Sequence, residues 1–265
     1  MNLRWPTTHI MSAVFVPLLV LSLLAATQPG TRQEKASARE QPKPARVPFR
    51  AGETLSYQVR WANFLNAATV RLSVRGPRMF SGREAWHFQA VAHTVDPVRL
   101  LYSLDDQFDS LSDVGDLTSI QFEMRIREQG EEETKISRMS QEGQPAKGDG
   151  TTVRVPAGTR DALGMIYYLR GVDWAKTRQI RAPVYDGRKL YDARARLELE
   201  NGRVTVPAGT YSASRIEVRV YEKEKEVPQT RFWLWLAQNP ARTPVLMEAE
   251  LPFGTLRVEL RQVRE

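Results

Sequence analysis

From position 47 onward, apolar and polar side chains alternate with a period of two, the pattern of strands that bury one face. Ile120-Gln-Phe122-Glu-Met124-Arg-Ile126-Arg sets four apolar side chains on one face and four polar ones on the other. Leu197-Glu-Leu199-Glu, Ile216-Glu-Val218-Arg-Val220-Tyr, Val245-Leu-Met247-Glu-Ala249-Glu and Leu256-Arg-Val258-Glu-Leu260-Arg repeat the pattern, with their charges expected to face water. A parallel sheet covered on both sides would read instead as continuous apolar runs separated by helices, so the strands are predicted to be antiparallel.

The turn residues fit that reading. Asn201-Gly202 predicts a tight hairpin between Leu197-Glu-Leu-Glu and Val204-Thr-Val206. Asp186-Gly187 and Ser81-Gly82 mark two more turns, and Glu222-Lys-Glu-Lys-Glu226 reads as a solvated hairpin end. Val155-Pro-Ala-Gly-Thr159 recurs as Val206-Pro-Ala-Gly-Thr210, a turn used twice, in which Pro fixes φ and Gly accepts the fourth position. Two stretches read as helical: one capped by Thr159, with Asp161 near its positive end and Leu163, Ile166 and Leu169 on one side, and a shorter turn from Pro97 to Tyr102. The predicted fold is therefore mainly β, a single curved antiparallel sheet or barrel-like domain with one or two short helices.

The first 46 residues have a different character. Residues 1–27 place Arg4 before a run from Ile10 to Ala26 that is apolar apart from Ser12 and Ser22, which reads as a signal peptide or, if uncleaved, an anchor near the lower limit of spanning length. Residues 28–46 contain no aromatic or branched aliphatic side chain and cannot offset their ordering entropy, so they form a disordered linker. The organisation expected is signal or anchor (1–27), linker (28–46) and one β domain (47–265). The domain is then exported, periplasmic or tethered to the inner membrane and facing the periplasm, touching a membrane only through an uncleaved N-terminal segment.

The net charge of +7 is spread thinly: residues 1–27 contribute +1, residues 28–46 contribute +3 and the other 219 contribute +3. A nearly balanced body gives nucleic acid no electrostatic footing. With no cysteine there is no disulfide framework, thiolate metal site or cysteine nucleophile. Gly-x-Ser-x-Gly, which would hold a nucleophilic serine on a sharp turn, is absent. His87 and His93 fall six apart on one strand, about 20 Å from each other at strand rise, too far to share a metal, and read as surface or packing residues. The carboxylates from Asp105 to Asp116 do not follow a calcium-loop spacing and read as a solvated strand and turn. No catalytic residue, cofactor or metal is assigned, and a cell-wall or lipid-modifying enzyme lacks a supporting motif.

Phe232-Trp-Leu-Trp-Leu236 breaks the alternation, being apolar on both faces. The side carrying Trp233 and Trp235 needs a cover: the helix with Tyr167 and Tyr168, a barrel interior, or a ligand. Trp61 and Trp86, on other predicted strands, could join either arrangement. Two roles stay open, a non-enzymatic envelope protein binding an apolar or lipid-like ligand on these six aromatics, or a structural or assembly factor with a filled core that acts by contacting an envelope protein partner.

Several phrases occur together in order: Pro48-Phe-Arg-Ala-Gly52-Glu-Thr-Leu-Ser-Tyr57, Arg160-Asp-Ala-Leu-Gly-Met-Ile-Tyr-Tyr168-Leu-Arg170, Val184-Tyr-Asp-Gly187-Arg-Lys-Leu-Tyr191, Val206-Pro-Ala-Gly209-Thr-Tyr211, Trp233-Leu-Trp235 and Arg242-Thr-Pro-Val245. The set resembles the exported bacterial family known as domain of unknown function 3108 over most of residues 47–263. The resemblance implies an export signal and a β-rich body, and carries over no catalytic residue. Gly164 departs from the pattern expected of that helix, at a cost of up to about 1 kcal/mol in helix propensity.

Overall fold

The computed structural model describes residues 47–61, 64–140, 151–228, 231–251 and 254–264; the expected signal segment and linker lie outside the described residues. Fifteen strands follow in chain order: β1 (Thr54–Trp61), β2 (Phe64–Phe80), β3 (Arg83–Thr94), β4 (Asp105–Asp113), β5 (Ser119–Glu128), β6 (Glu131–Ser140), β7 (Thr151–Arg154), β8 (Arg160–Asp161), β9 (Gln179–Tyr185), β10 (Leu190–Val206), β11 (Gly209–Glu222), β12 (Lys225–Glu226), β13 (Phe232–Ala237), β14 (Pro244–Leu251) and β15 (Gly254–Arg264). Among the described residues, two helices interrupt them, α1 (Val98–Leu101) and α2 (Ala162–Gly171).

The strands form one sheet in the order β7-β6-β5-β4-β3-β2-β1-β15-β14-β13-β11-β10-β9-β8, with β12 folded onto β11. Pairing is antiparallel except at the two margins, where β6 with β7 and β8 with β9 run parallel. The sheet rolls up without closing. A Cβ on Gly187, in the β9–β10 turn, would lie 2.5 Å from Met124 Cε of β5, and the Ser119 amide at the head of β5 donates to Thr159 O just before β8 at 3.0 Å. The β8–β9 margin is thereby drawn against β5, near the other margin.

Inside the roll lies α2. All ten of its residues are buried, so it is covered on every side and not only along the Leu163, Ile166 and Leu169 face. Its N-cap is Asp161, not Thr159: the Asp161 carboxylate accepts from the Gly164 amide at 2.8 Å. Thr159 sits two residues earlier and ties its own turn through a hydroxyl bond to Pro156 O.

Gly164 has a specific use. A Cβ there would lie 2.9 Å from Ser119 Oγ and 3.2 Å from Ser112 Oγ, so β4 and β5 approach the helix closer than any side chain permits.

Two local expectations change. Asn201-Gly202 is not a hairpin turn; it lies inside β10, where the register with β11 shifts between Leu199 and Gly202, and the chain reverses at Pro207-Ala208. Gly202 serves packing instead, because a Cβ there would lie 2.6 Å from Trp235 Cζ3. In β5, an irregularity opposite Leu111 and Ser112 diverts Ile120 into a small separate cluster with Ala85 and Leu111, while Phe122 and Met124 stay in the main core. Ser81-Gly82 and Lys223-Glu224 do form tight reversals, each with two consecutive positive φ values.

Candidate functional site

The six aromatics do not line one surface. Leu234 pairs with Ile216 and Met247 and faces the main core, which places Trp233 and Trp235 on the outer face of β13. Side chains on that face lie against them, and α2, one of the three covers the sequence left open, lies on the other side. The Arg215 guanidinium lies 4.6 Å from the Trp233 ring and 5.4 Å from the Trp235 ring, and Arg231 lies 5.3 Å from Trp233. Trp235 also packs against Gly202 and donates its indole N–H to Glu248 at 2.7 Å. Beyond the irregular register at Leu199–Gly202, β10 reaches over to β14 and β15, and the Ala208 amide at its tip donates to Leu260 O at 2.9 Å.

A polar row crosses this outer face. Consecutive cross-strand partners from β10 to β1 are Arg196, Glu217, Trp233, Glu248, Arg257 and Arg60. Glu217 is buried, contrary to the expectation that such charges face water, because Arg196, Arg219 and Arg231 surround it at 2.6 to 3.0 Å. Burial by itself would raise its pKa, but the three guanidiniums outweigh that and hold it at about 2. Charge-paired arginine stems thus lie across the aromatic strand.

On the inner face, Tyr167 of α2 stacks on Phe88 at 3.8 Å between ring centroids. Phe49 meets both Tyr167 and Trp86 edge-on at 5.2 Å, so Trp86 and Tyr167 belong to one aromatic cluster. Tyr168 points elsewhere, beneath the buried Arg160 guanidinium at 3.5 Å. Trp61, at the end of β1, packs partly buried against the core.

Three polar centres are buried, of which the first had no sequence signal. The Arg170 guanidinium, wholly buried, grips Glu53 with Nη1 to Oε1 at 2.7 Å and Nη2 to Oε2 at 2.9 Å, and also donates to Ala241 O at 2.9 Å. Beside it, Tyr57 donates to Pro244 O, whereas the Tyr167 hydroxyl has no hydrogen-bond partner among the described residues. Burial pushes both phenols up.

The second centre is Asp161, whose Oδ2 accepts from Ser110 and Ser119 at 2.6 Å each; burial outweighs these bonds and raises the carboxyl. The arrangement is a helix cap whose two serines are enclosed beside the carboxylate.

The third centre is Asp106, buried in the acidic stretch that reads from sequence as solvated. Burial, against one amide bond from Arg127 and aided by Glu128 and Asp105, raises it to about 7. The other acids of that stretch have local partners: Asp105 binds His93 and Arg99, Asp109 binds His87 at 2.7 Å, and Asp113 and Asp116 accept from turn amides. Arg99 draws Asp105 down to about 2. Among the described residues, no group of three or more His, Cys, Asp or Glu side chains could hold a metal ion, and no helix is long and apolar enough to cross a membrane.

No curated protein matches the chain. Among solved structures, a beta-barrel-like protein of domain of unknown function DUF1849 from Brucella abortus is 12% identical over 81% of this chain and 98% of its own, with a TM-score of 0.49. A protein of Parabacteroides distasonis described as a candidate lipoprotein is 9% identical over 82% of this chain and 98% of its own, with a TM-score of 0.39. A candidate exported protein of Bacteroides fragilis with a YmcC-like fold is 9% identical over 83% and 98% of the two chains, with a TM-score of 0.35. The model of the family described as protein of unknown function, DUF3108, matches residues 56–261, nearly the whole described body, and the chain belongs to that family.

Proposed function

We propose that this protein is an exported, non-enzymatic envelope factor that acts through protein contact, on a rigid β roll whose interior is its own. The observation that carries the reading is α2: its ten residues are all buried within the sheet, where a ligand-carrying barrel would keep room for cargo. The outward tryptophans support the same reading, being occupied by Arg215, Arg231 and Gly202 of this chain. Export rests on residues 1–27 and the linker that follows them.

Two measurements on the whole chain test this. Native mass spectrometry of protein purified without detergent should return the mass of the polypeptide alone, and crosslinking in intact cells should give a defined protein adduct. A retained apolar molecule, with lipid as the crosslinked species, would overturn the reading in favour of a lipid-binding envelope protein.

A further inference from the structure

Among the described residues, Leu100 and Leu101 are the most exposed large apolar side chains, at 82% and 73%. They sit side by side on α1, in the connection from β3 to β4 at one end of the roll. Met79, Leu190, Leu199 and Val263 are exposed elsewhere, but Leu100 and Leu101 are adjacent in the chain and form a contiguous apolar patch, the feature that marks an interaction site.

The display is fixed in place by polar bonds from three strands. Arg99, between Val98 and the leucines, is held by Asp105 of β4 through two bonds of 3.0 and 2.7 Å, and His93 of β3 holds the same carboxylate at 2.8 Å. From the β5–β6 turn, Gln129 donates its side-chain amide to Leu101 O at 3.0 Å and its backbone amide to Ser103 O at 2.9 Å. Glu128 takes the Tyr102 hydroxyl. A connection tied at Arg99, Leu101, Tyr102 and Ser103 holds the backbone that carries the leucines before any partner arrives, which lowers the ordering cost of docking.

The rim identifies the partner's chemistry. The β5–β6 turn that holds α1 carries Glu128, Glu131, Glu132 and Glu133, against which Arg127 is engaged with Glu132 at 2.9 Å and Arg99 is neutralised by Asp105. An acidic rim is repelled by an anionic lipid surface and attracted by a cationic one. We infer that the α1 tip is a protein-docking site, with Leu100 and Leu101 as anchors for an apolar pocket bordered by Lys or Arg on a partner protein. This names the contact surface of the proposed function and rests on that reading.

The test places a photoreactive residue at Leu100, at Leu101 and, as a control, at exposed Met79 on the β2–β3 turn of the opposite end, in the full chain in intact cells. Expected is one discrete protein adduct from positions 100 and 101 and none from 79, crosslinked to a segment of the partner flanked by basic residues. Replacing Glu131 and Glu133 by Lys should lower its yield by about tenfold, as rim charges govern encounter. Leu100→Ser with Leu101→Ser should weaken association with that partner without moving the melting temperature. Adducts with lipid, equal adducts from position 79, indifference to charge reversal, or flotation of the purified chain with phosphatidylglycerol vesicles would overturn the assignment. If general crosslinking recovers a partner but positions 100 and 101 do not, the tip is wrong and contact as the mode of action survives.

Discussion

Arg170, in the last turn of α2, holds Glu53, at the head of β1, in a two-pronged ion pair across 117 positions of sequence. The pair joins the enclosed helix to the wall that surrounds it, and both charges are out of water. Removing one partner strands the other, so Glu53→Gln or Arg170→Met should cost about 3–5 kcal/mol, read by urea denaturation. Glu53→Leu combined with Arg170→Met should recover most of the loss. A double variant as unstable as the sum of the singles would show that the two side chains contribute independently, contradicting the cost of a stranded partner.

Gly164→Ala sets two effects in opposition. Alanine improves helix propensity by about 1 kcal/mol, but its methyl would meet Ser119 Oγ at 2.9 Å. Overpacking should win, with a net loss of about 1–3 kcal/mol. Ser119→Ala, although it removes a bond to Asp161, should couple favourably with Gly164→Ala in a double-mutant cycle.

Asp106 gives stability a definite pH dependence. Its folded pKa of about 7 lies above the ordinary 3.8, so between these values the folded state binds the extra proton. The contribution is complete below about pH 4 and declines as pH rises through 7. Asp105 and Glu217 are shifted the opposite way, to about 2, and titrate below this window. Asp106→Asn keeps an acceptor for the Arg127 amide without the charge. It should exceed the parent by at least about 1 kcal/mol at pH 8, with the gap closing toward pH 4, since a tenfold change in proton affinity is about 1.4 kcal/mol. Parallel stability curves from pH 4 to 8 would contradict the burial of a neutral carboxyl.

The outward tryptophans should behave as structure. Trp233→Ala should lose about 3–5 kcal/mol, the usual cost of an emptied aromatic site. Trp235→Phe, which removes the N–H bond to Glu248, should lose about 1 kcal/mol. If either variant kept its melting temperature, measured by circular dichroism, while losing a bound molecule, the side chains would be ligand contacts.

The strands were legible because burial on one face writes a period of two along the chain, as in Ile216-Glu-Val218-Arg-Val220, and the positions of α1 and α2 followed from the loss of that period. What escaped depends on contacts distant in sequence. A bulge that turns Ile120 to another cluster depends on its β4 neighbour, and Gly202 looks like a turn glycine until Trp235 is seen against it. For the site, composition revealed the aromatics but not their side of the sheet. The cover of Trp233 comes from Arg215, whose alternation reads simply as solvent-facing. Glu53 with Arg170 had no local pattern at all, because a buried ion pair is a property of two distant segments meeting.

α2 fills the interior of the roll, and hydrogen exchange at its backbone amides measures that directly. The amides of Met165–Gly171 should exchange only through global unfolding, at the same rate with or without phospholipid vesicles or detergent. Fast exchange of the helix in the free protein, slowed when lipid is added, would mean that the roll opens for a guest and that the core described here is a lid.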